Sequence, residues 1–237
     1  MRNFSSKGFI VAAINYREGW DWIKKSDPLK CTADTSTLTE AWYRAQQDTR
    51  ASIRFLVANA AKYGIDPNWI FIEGSSAGAE AALGVPYFPQ DSANVYMPGI
   101  VDTLGGLDNS SNNLTNSYKI KGIGSMWGAI NSPYLITPAN ATPTIFFAGV
   151  LGVGVPWNID HYWGCPNFAI GYGAKPLYDR LVSLGVPAVA HIDPNGYHEV
   201  YTVQFREENI ACFFNGLMTK QPQTGWDYTS AGVPNCK

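Results

Sequence analysis

The stretch Ile72-Glu73-Gly74-Ser75-Ser76-Ala77-Gly78 constrains the fold more than any other part of the chain. A β-rich apolar run, Trp69-Ile70-Phe71-Ile72, precedes it and a helical pattern, Ala77 to Leu83, follows it. A G-x-S-x-G pentapeptide therefore sits at a strand-to-helix turn. A turn that sharp leaves no room for side chains at the two glycines, strains the serine backbone and exposes its hydroxyl. The N–H of Ala77, at the start of the helix, then points to where an oxyanion would form. Ser76 is the candidate nucleophile and Ala77 the candidate oxyanion donor; a plain tight turn is the competing reading.

Around this turn, short β-rich runs alternate with helical patterns. Gly8 to Tyr16 reads as a strand buried on both faces. Thr39 to Tyr63 reads as an amphipathic helix, with Ala45, Ile53, Leu56, Val57 and Ala60 on its apolar side and Gly64 as its C-cap. Strands are expected at 120–128, 144–148 and 187–192, and helices at 175–184 and 199–217. Residues 87–117 read as an irregular, polar loop insertion. The order predicts an α/β fold, a mostly parallel doubly wound sheet flanked by helices, in a single domain over residues 1–237.

Composition removes several function classes. Hydrophobic residues make up 46% and charged residues 15% of the 237, which excludes global disorder. The net charge of -2 and the absence of a basic stripe argue against nucleic acid and anionic membranes as partners. No apolar run approaches the roughly 18–20 residues that span a bilayer. Phe9 to Ile14 is too short for the apolar region of a signal peptide, and no cleavage-like site follows it. The four cysteines, Cys31, Cys165, Cys212 and Cys236, form no CxxC pair. They read as buried thiols or as two disulfides in an exported, extracellular or periplasmic protein. Cys236 lies beyond a polar tail with no core to sit in, and a bond to Cys212 would pin that tail. Asn-x-Ser/Thr triplets at Asn3, Asn109, Asn113 and Asn140 mark exposed loops.

A serine hydroxyl needs a base. The chain has three histidines, His161, His191 and His198. His198 lies in the turn-rich Asp193-Pro194-Asn195-Gly196-Tyr197-His198-Glu199, after the last strand and before the terminal helix, and is the candidate base. His191 sits inside a strand and reads as a packed core residue. His161, beside Tyr162 and Trp163, lines a pocket or holds a loop. Glu80 follows Ser76 by one helical turn, approaching the site, facing solvent or pairing locally. Loop aromatics, among them Tyr87, Phe88, Tyr96, Trp157, Tyr162 and Trp163, predict an aromatic-lined pocket for an apolar or aryl acyl group. Ser75, Trp157 and Tyr197 are candidate substrate contacts.

These residues resemble the α/β-hydrolase superfamily, close to its bacterial carboxylesterases. The matching segments are Asn15-Tyr16-Arg17, the helix from Tyr43 to Leu56, Asp66-Pro67, the Gly74–Gly78 turn, Pro143 to Phe147, Val155-Pro156 and the His198 loop. The resemblance covers about Gly8 to Leu217. It implies a cofactor-independent ester hydrolase acting on small-molecule esters, with Ser76, Ala77 and His198 catalytic. The family's aspartate, a few residues before Val-Pro, falls on Gly152. Asp160, later in the same loop region, is the candidate substitute acid, with Glu199 and Asp193 as weaker choices. The family also has strands before Gly8, an oxyanion loop among them, and a strand between the Phe9 and Ile70 runs. The chain is therefore expected to lack its first strands. A catalytically impaired or dead hydrolase-fold protein, or a fragment of one, is the alternative reading.

Overall fold

The computed structural model describes residues 2–21 and 31–235. Helix α1 spans Arg2–Ser5, α2 Thr35–Ala58 and α3 Ala60–Tyr63, followed by β1 at Ile70–Ser75 and α4 at Ala77–Tyr87. Two short helices, α5 (Gln90–Tyr96) and α6 (Ile100–Leu104), precede β2 (Ile120–Met126) and β3 (Thr144–Gly149). A hairpin of β4 (Ile159–His161) and β5 (Ile170–Tyr172) leads to α7 (Ala174–Ser183), β6 (Ala188–Asp193), α8 (Val203–Met218) and β7 (Gly225–Tyr228). The main sheet has the order β1-β2-β3-β6-β7, and every pairing in it is parallel.

The core follows from the period of two along β3. Phe146 and Ala148 join Ile123, Ala190 and Ile192 against Leu83 of α4 and Leu177 and Leu181 of α7. Ile145 and Phe147 face the other way, with Val189, against Ile210, Phe213 and Phe214 of α8. Every residue of β3 is buried, which explains why this run is apolar without alternation. Burying each such side chain stabilises the fold by about 1.5–3 kcal/mol.

Helix α2 begins where Asp34 Oδ1 accepts from the backbone N–H of Ser36 and Thr37. It breaks at Asn59, and Gly64 ends α3 in the left-handed region at φ 70°. Its buried face is more polar than the periodicity implied. Gln47 donates to Leu104 O, Arg50 to Phe88 O and Gly84 O, and Arg54 to Ser110 O. Those side chains hold the 87–117 insertion, which is not irregular throughout: it contains α5 and α6.

The expected strand at Gly8–Tyr16 is not formed. Residues 9–20 carry no strand assignment, and Ile10 is 58% exposed and Ile14 37%. A strand buried on both faces needs ladder partners, and β1, at the end of the sheet order, bonds only to β2. The segment is tied down otherwise. Phe9 packs edge-on against Phe71 and Phe214, and Arg17 pairs with Asp48 of α2 at 2.8 Å. Between residues 10–14, α2 and β1 lies a cavity of about 390 Å³ lined by Ile10, Leu56, Ile70 and Ile72. This explains why Leu56 and Val57 are only half-buried.

Two further elements differ from expectation. The tail after α8 forms β7, docked beside β6 by a bond between His191 Nδ1 and Asp227 Oδ2 of 3.1 Å. The region around Asp160 is a β-hairpin. Cys31 and Cys165 form a disulfide, and Cys212 is also disulfide-bonded. The expected partner of Cys212, Cys236, lies outside the described residues.

Candidate catalytic site

The turn after β1 is strained in the way its sequence implies. Ser76 has φ 53° and ψ -124°, a conformation that costs about 1–3 kcal/mol outside glycine. Its N–H is held by Met126 O at 2.9 Å. A Cβ on Gly74 would lie 2.2 Å from Gly78 O, so only glycine fits there. Gly78 differs from expectation: a Cβ there would meet nothing within 4 Å, because that position faces the cavity beside β1.

The chain brings Ser76 and His198 together. Ser76 Oγ and His198 Nε2 are 2.9 Å apart, across 122 residues of sequence. His198 is placed by a loop zipped to the end of β3: Val150 N–H donates to Asp193 O and Leu151 N–H to Gly196 O. Arg206 of α8 fixes the residues that follow, donating to Val200 O and Tyr201 O at 2.8 Å and to Glu199 Oε1 at 2.9 Å. Burial holds the His198 imidazole below its ordinary pKa, and the nearby Glu199 carboxylate offsets part of that. The ring is therefore neutral at pH 7 and able to accept a proton. Ala77 is the first residue of α4, so its N–H has no intrahelical acceptor; it is exposed beside the half-buried Ser76.

The acid does not fall where it was expected. Asp160 is exposed on β4, and its carboxylate accepts from the N–H of His161 at 2.7 Å instead of reaching His198. A solvent-facing hairpin strand has no reason to turn that side chain inward. Glu199 is paired with Arg206, and Asp193 Oδ1 accepts from Asn195 N–H at 2.9 Å. A Cβ on Gly152 would sit 3.1 Å from Tyr197 O and 3.3 Å from His198 Cα, crowding the backbone and not the ring. Among the described residues, no group accepts a hydrogen bond from the buried Nδ1 of His198.

The other sequence candidates are dispersed. Ser75 is exposed next to Ser76, and Tyr197, beside His198, is 70% exposed. Trp157 is packed against the α7-side core and Tyr228, so it is held within the fold. His161 Nδ1 lies 2.6 Å from Phe168 O, a bond that closes the hairpin. His191 is a core residue, 1% exposed. Glu80 is buried, not solvent-facing, and hydrogen-bonded to Tyr162; burial raises its pKa to about 8, with the Tyr162 bond lowering it in part.

Trp127, beside the histidine, was not singled out, whereas Trp163 was among the loop aromatics expected to line the pocket. The Trp127 ring lies 6.0 Å from that of His198, and Arg206 lies over it at 4.9 Å. The Trp163 ring packs at a 37° tilt against Trp20, 4.7 Å away, next to the Cys31–Cys165 disulfide. Both tryptophans have positive φ, 45° and 55°. Side-chain type alone carries no signal for that backbone state. Among the described residues, no three His, Cys, Asp or Glu side chains are grouped to hold a metal ion.

Residues 33–132 match the family model BD-FAE, which describes an α/β-hydrolase esterase family. That span contains the Ser76 turn but not His198. No curated protein matches the chain in sequence. Among solved structures, a truncated form of a carbohydrate esterase from gut microbiota is 17% identical over 73% of this chain and 68% of its own, with a TM-score of 0.52. An acetyl ester-xyloside bifunctional hydrolase from Caldicellulosiruptor lactoaceticus is 16% identical over 75% of this chain and 66% of its own, with a TM-score of 0.51. A carboxylesterase from Lactobacillus plantarum WCFS1 is 16% identical over 65% and 55%, with a TM-score of 0.45. The chain thus spans 55% to 68% of the length of these three proteins. It has the α/β-hydrolase fold, a parallel central sheet flanked by helices.

Proposed function

We propose that the chain is a serine-dependent carboxylic ester hydrolase. The observation that carries this reading is the 2.9 Å contact between Ser76 Oγ, on a strained turn, and the neutral His198 Nε2. The match of residues 33–132 to an esterase family supports it. In this mechanism His198 Nε2 takes the Ser76 proton as Oγ attacks the acyl carbon. The oxyanion forms near the exposed N–H of Ala77, at the positive end of α4. Collapse expels the alcohol, which takes the proton back from Nε2. A water then repeats the sequence on the acyl-serine, releasing the acid and freeing Ser76. Trp127 beside the imidazole favours a small or aryl acyl group, and none of these steps calls for a cofactor.

The three disulfide-bonded cysteines among the described residues, Cys31, Cys165 and Cys212, favour an exported protein. No helix among the described residues is long and apolar enough to cross a membrane.

A fluorophosphonate probe with peptide mapping tests the reading. Stoichiometric label on Ser76, lost in Ser76→Ala and His198→Ala, is the expected result. A folded wild-type chain that takes no label would favour the second reading, an inactive hydrolase fold, which the missing acceptor at His198 Nδ1 motivates.

A further inference from the structure

We propose that position 154 is the acid seat of this catalytic centre, so that the chain works as a Ser76–His198 dyad and an aspartate at 154 completes a triad. This rests on the serine-hydrolase reading above. A Cβ built on Gly154 lies 3.5 Å from both Nδ1 and Cε1 of His198, the ring whose Nε2 contacts Ser76. The next nearest atom is Trp163 Nε1, at 3.8 Å. All three contacts are ordinary van der Waals distances, so a side chain has room to begin there. The backbone of Gly154 is not in the left-handed region, so a substituent adds no strain. An aspartate oxygen lies about 2.4 Å from its own Cβ by covalent geometry, which brings Nδ1 within hydrogen-bond reach.

The surroundings suit a carboxylate. Gly154 O accepts from the Trp163 N–H at 3.0 Å, which fixes the loop against the tryptophan whose indole N–H approaches the seat. Trp163, at φ 55°, packs against Trp20 and lies near the disulfide. At position 152 the corresponding direction is blocked by the Tyr197 carbonyl. In the dyad the Trp127 ring lies against the imidazole, but among the described residues no acceptor selects the tautomer with its proton on Nδ1, and only the nearby Glu199 carboxylate favours the imidazolium. A carboxylate at 154 supplies both.

The test compares Gly154→Asp with Gly154→Ala and Gly152→Asp, measuring the rate of fluorophosphonate labelling at Ser76, aryl-ester turnover and the His198 pKa by NMR. Gly154→Asp is expected to raise labelling and turnover at least 10-fold and to raise the His198 pKa by 1 unit or more, moving the acid limb of the pH–rate profile with it. Gly154→Ala and Gly152→Asp are expected to do neither. An unchanged His198 pKa in folded Gly154→Asp overturns the seat, as does a Gly154→Asp chain that fails to fold where Gly154→Ala folds. If the pKa rises but no variant labels Ser76, the seat stands and the hydrolase reading fails.

Discussion

Glu80 makes the stability of this fold depend on pH in a way that one substitution can isolate. The side chain is 8% exposed, one turn along α4 from Ser76, and hydrogen-bonded to Tyr162. Burial raises its pKa from 4.5 to about 8. Below pH 4.5 the carboxyl is protonated whether the chain is folded or not, and the shift has no effect. Between pH 4.5 and about 8 the unfolded chain has lost the proton and the folded chain retains it, so stability falls as pH rises. Above about 8 the penalty is constant. At 1.36 kcal/mol per unit it reaches about 3 kcal/mol at pH 7 and about 5 kcal/mol at its plateau. Glu80→Gln keeps a neutral group of the same shape beside Tyr162 and has no proton to lose. Its stability relative to wild type is expected to climb by about 3 kcal/mol between pH 4.5 and 7, whatever constant offset the amide brings. Urea unfolding of both proteins across that range, without reductant, measures this, because every other titrating group cancels in the difference. Parallel stability curves would refute the reasoning and mean that the carboxyl ionises inside the fold.

Further outcomes follow from the site. The lowered pKa of His198 places the acid limb of turnover below pH 6.5, with rate rising as the ring deprotonates; a limb at or above 6.5 would contradict the burial argument. Gly74→Ala is expected to cost more than about 3 kcal/mol, since its methyl meets the Gly78 carbonyl. Gly78→Ala should leave the melting temperature unchanged or higher, as alanine is the better helix former by about 1 kcal/mol. Thermal melts of the pair decide this, and equal losses would mean that the cavity beside Gly78 is closed in solution. Alkylation of the denatured, unreduced chain should label no cysteine, with four labelled after reduction; label before reduction would contradict the disulfides.

What could be read from the sequence was set by local chemistry. The Gly74–Gly78 turn needs only its neighbours to be recognised, and the runs that became β2, β3 and β6 are apolar because helices cover both faces. His198 was legible because a turn-rich loop between a strand and a helix ends at the catalytic edge of such a sheet. The failures share one cause, dependence on a partner far away in the chain. Phe9 to Ile14 has the composition of a buried strand and no neighbour to pair with. Gln47, Arg50 and Arg54 look like a solvated helix face until the insertion they hold is in place. Trp226 to Tyr228 becomes a strand only beside β6. Gly152 lies under the Tyr197 carbonyl and not beside the His198 ring, which no spacing rule reveals.

The Cys31–Cys165 bond joins residues 134 positions apart, and the covalent ring it closes contains Ser76 but not His198. In the chain-entropy account, a ring of that length disfavours the unfolded state by about 5 kcal/mol. It also changes what backbone cleavage can do. A protease that cuts the 87–117 segment severs α4 from β2 along the main chain, yet both pieces stay in one molecule, Ser76 in one and His198 in the other. Such a nicked protein would run as a single band without reductant and as two with it, and the covalent link between the Ser76 piece and the His198 piece would be lost only when the disulfide is opened.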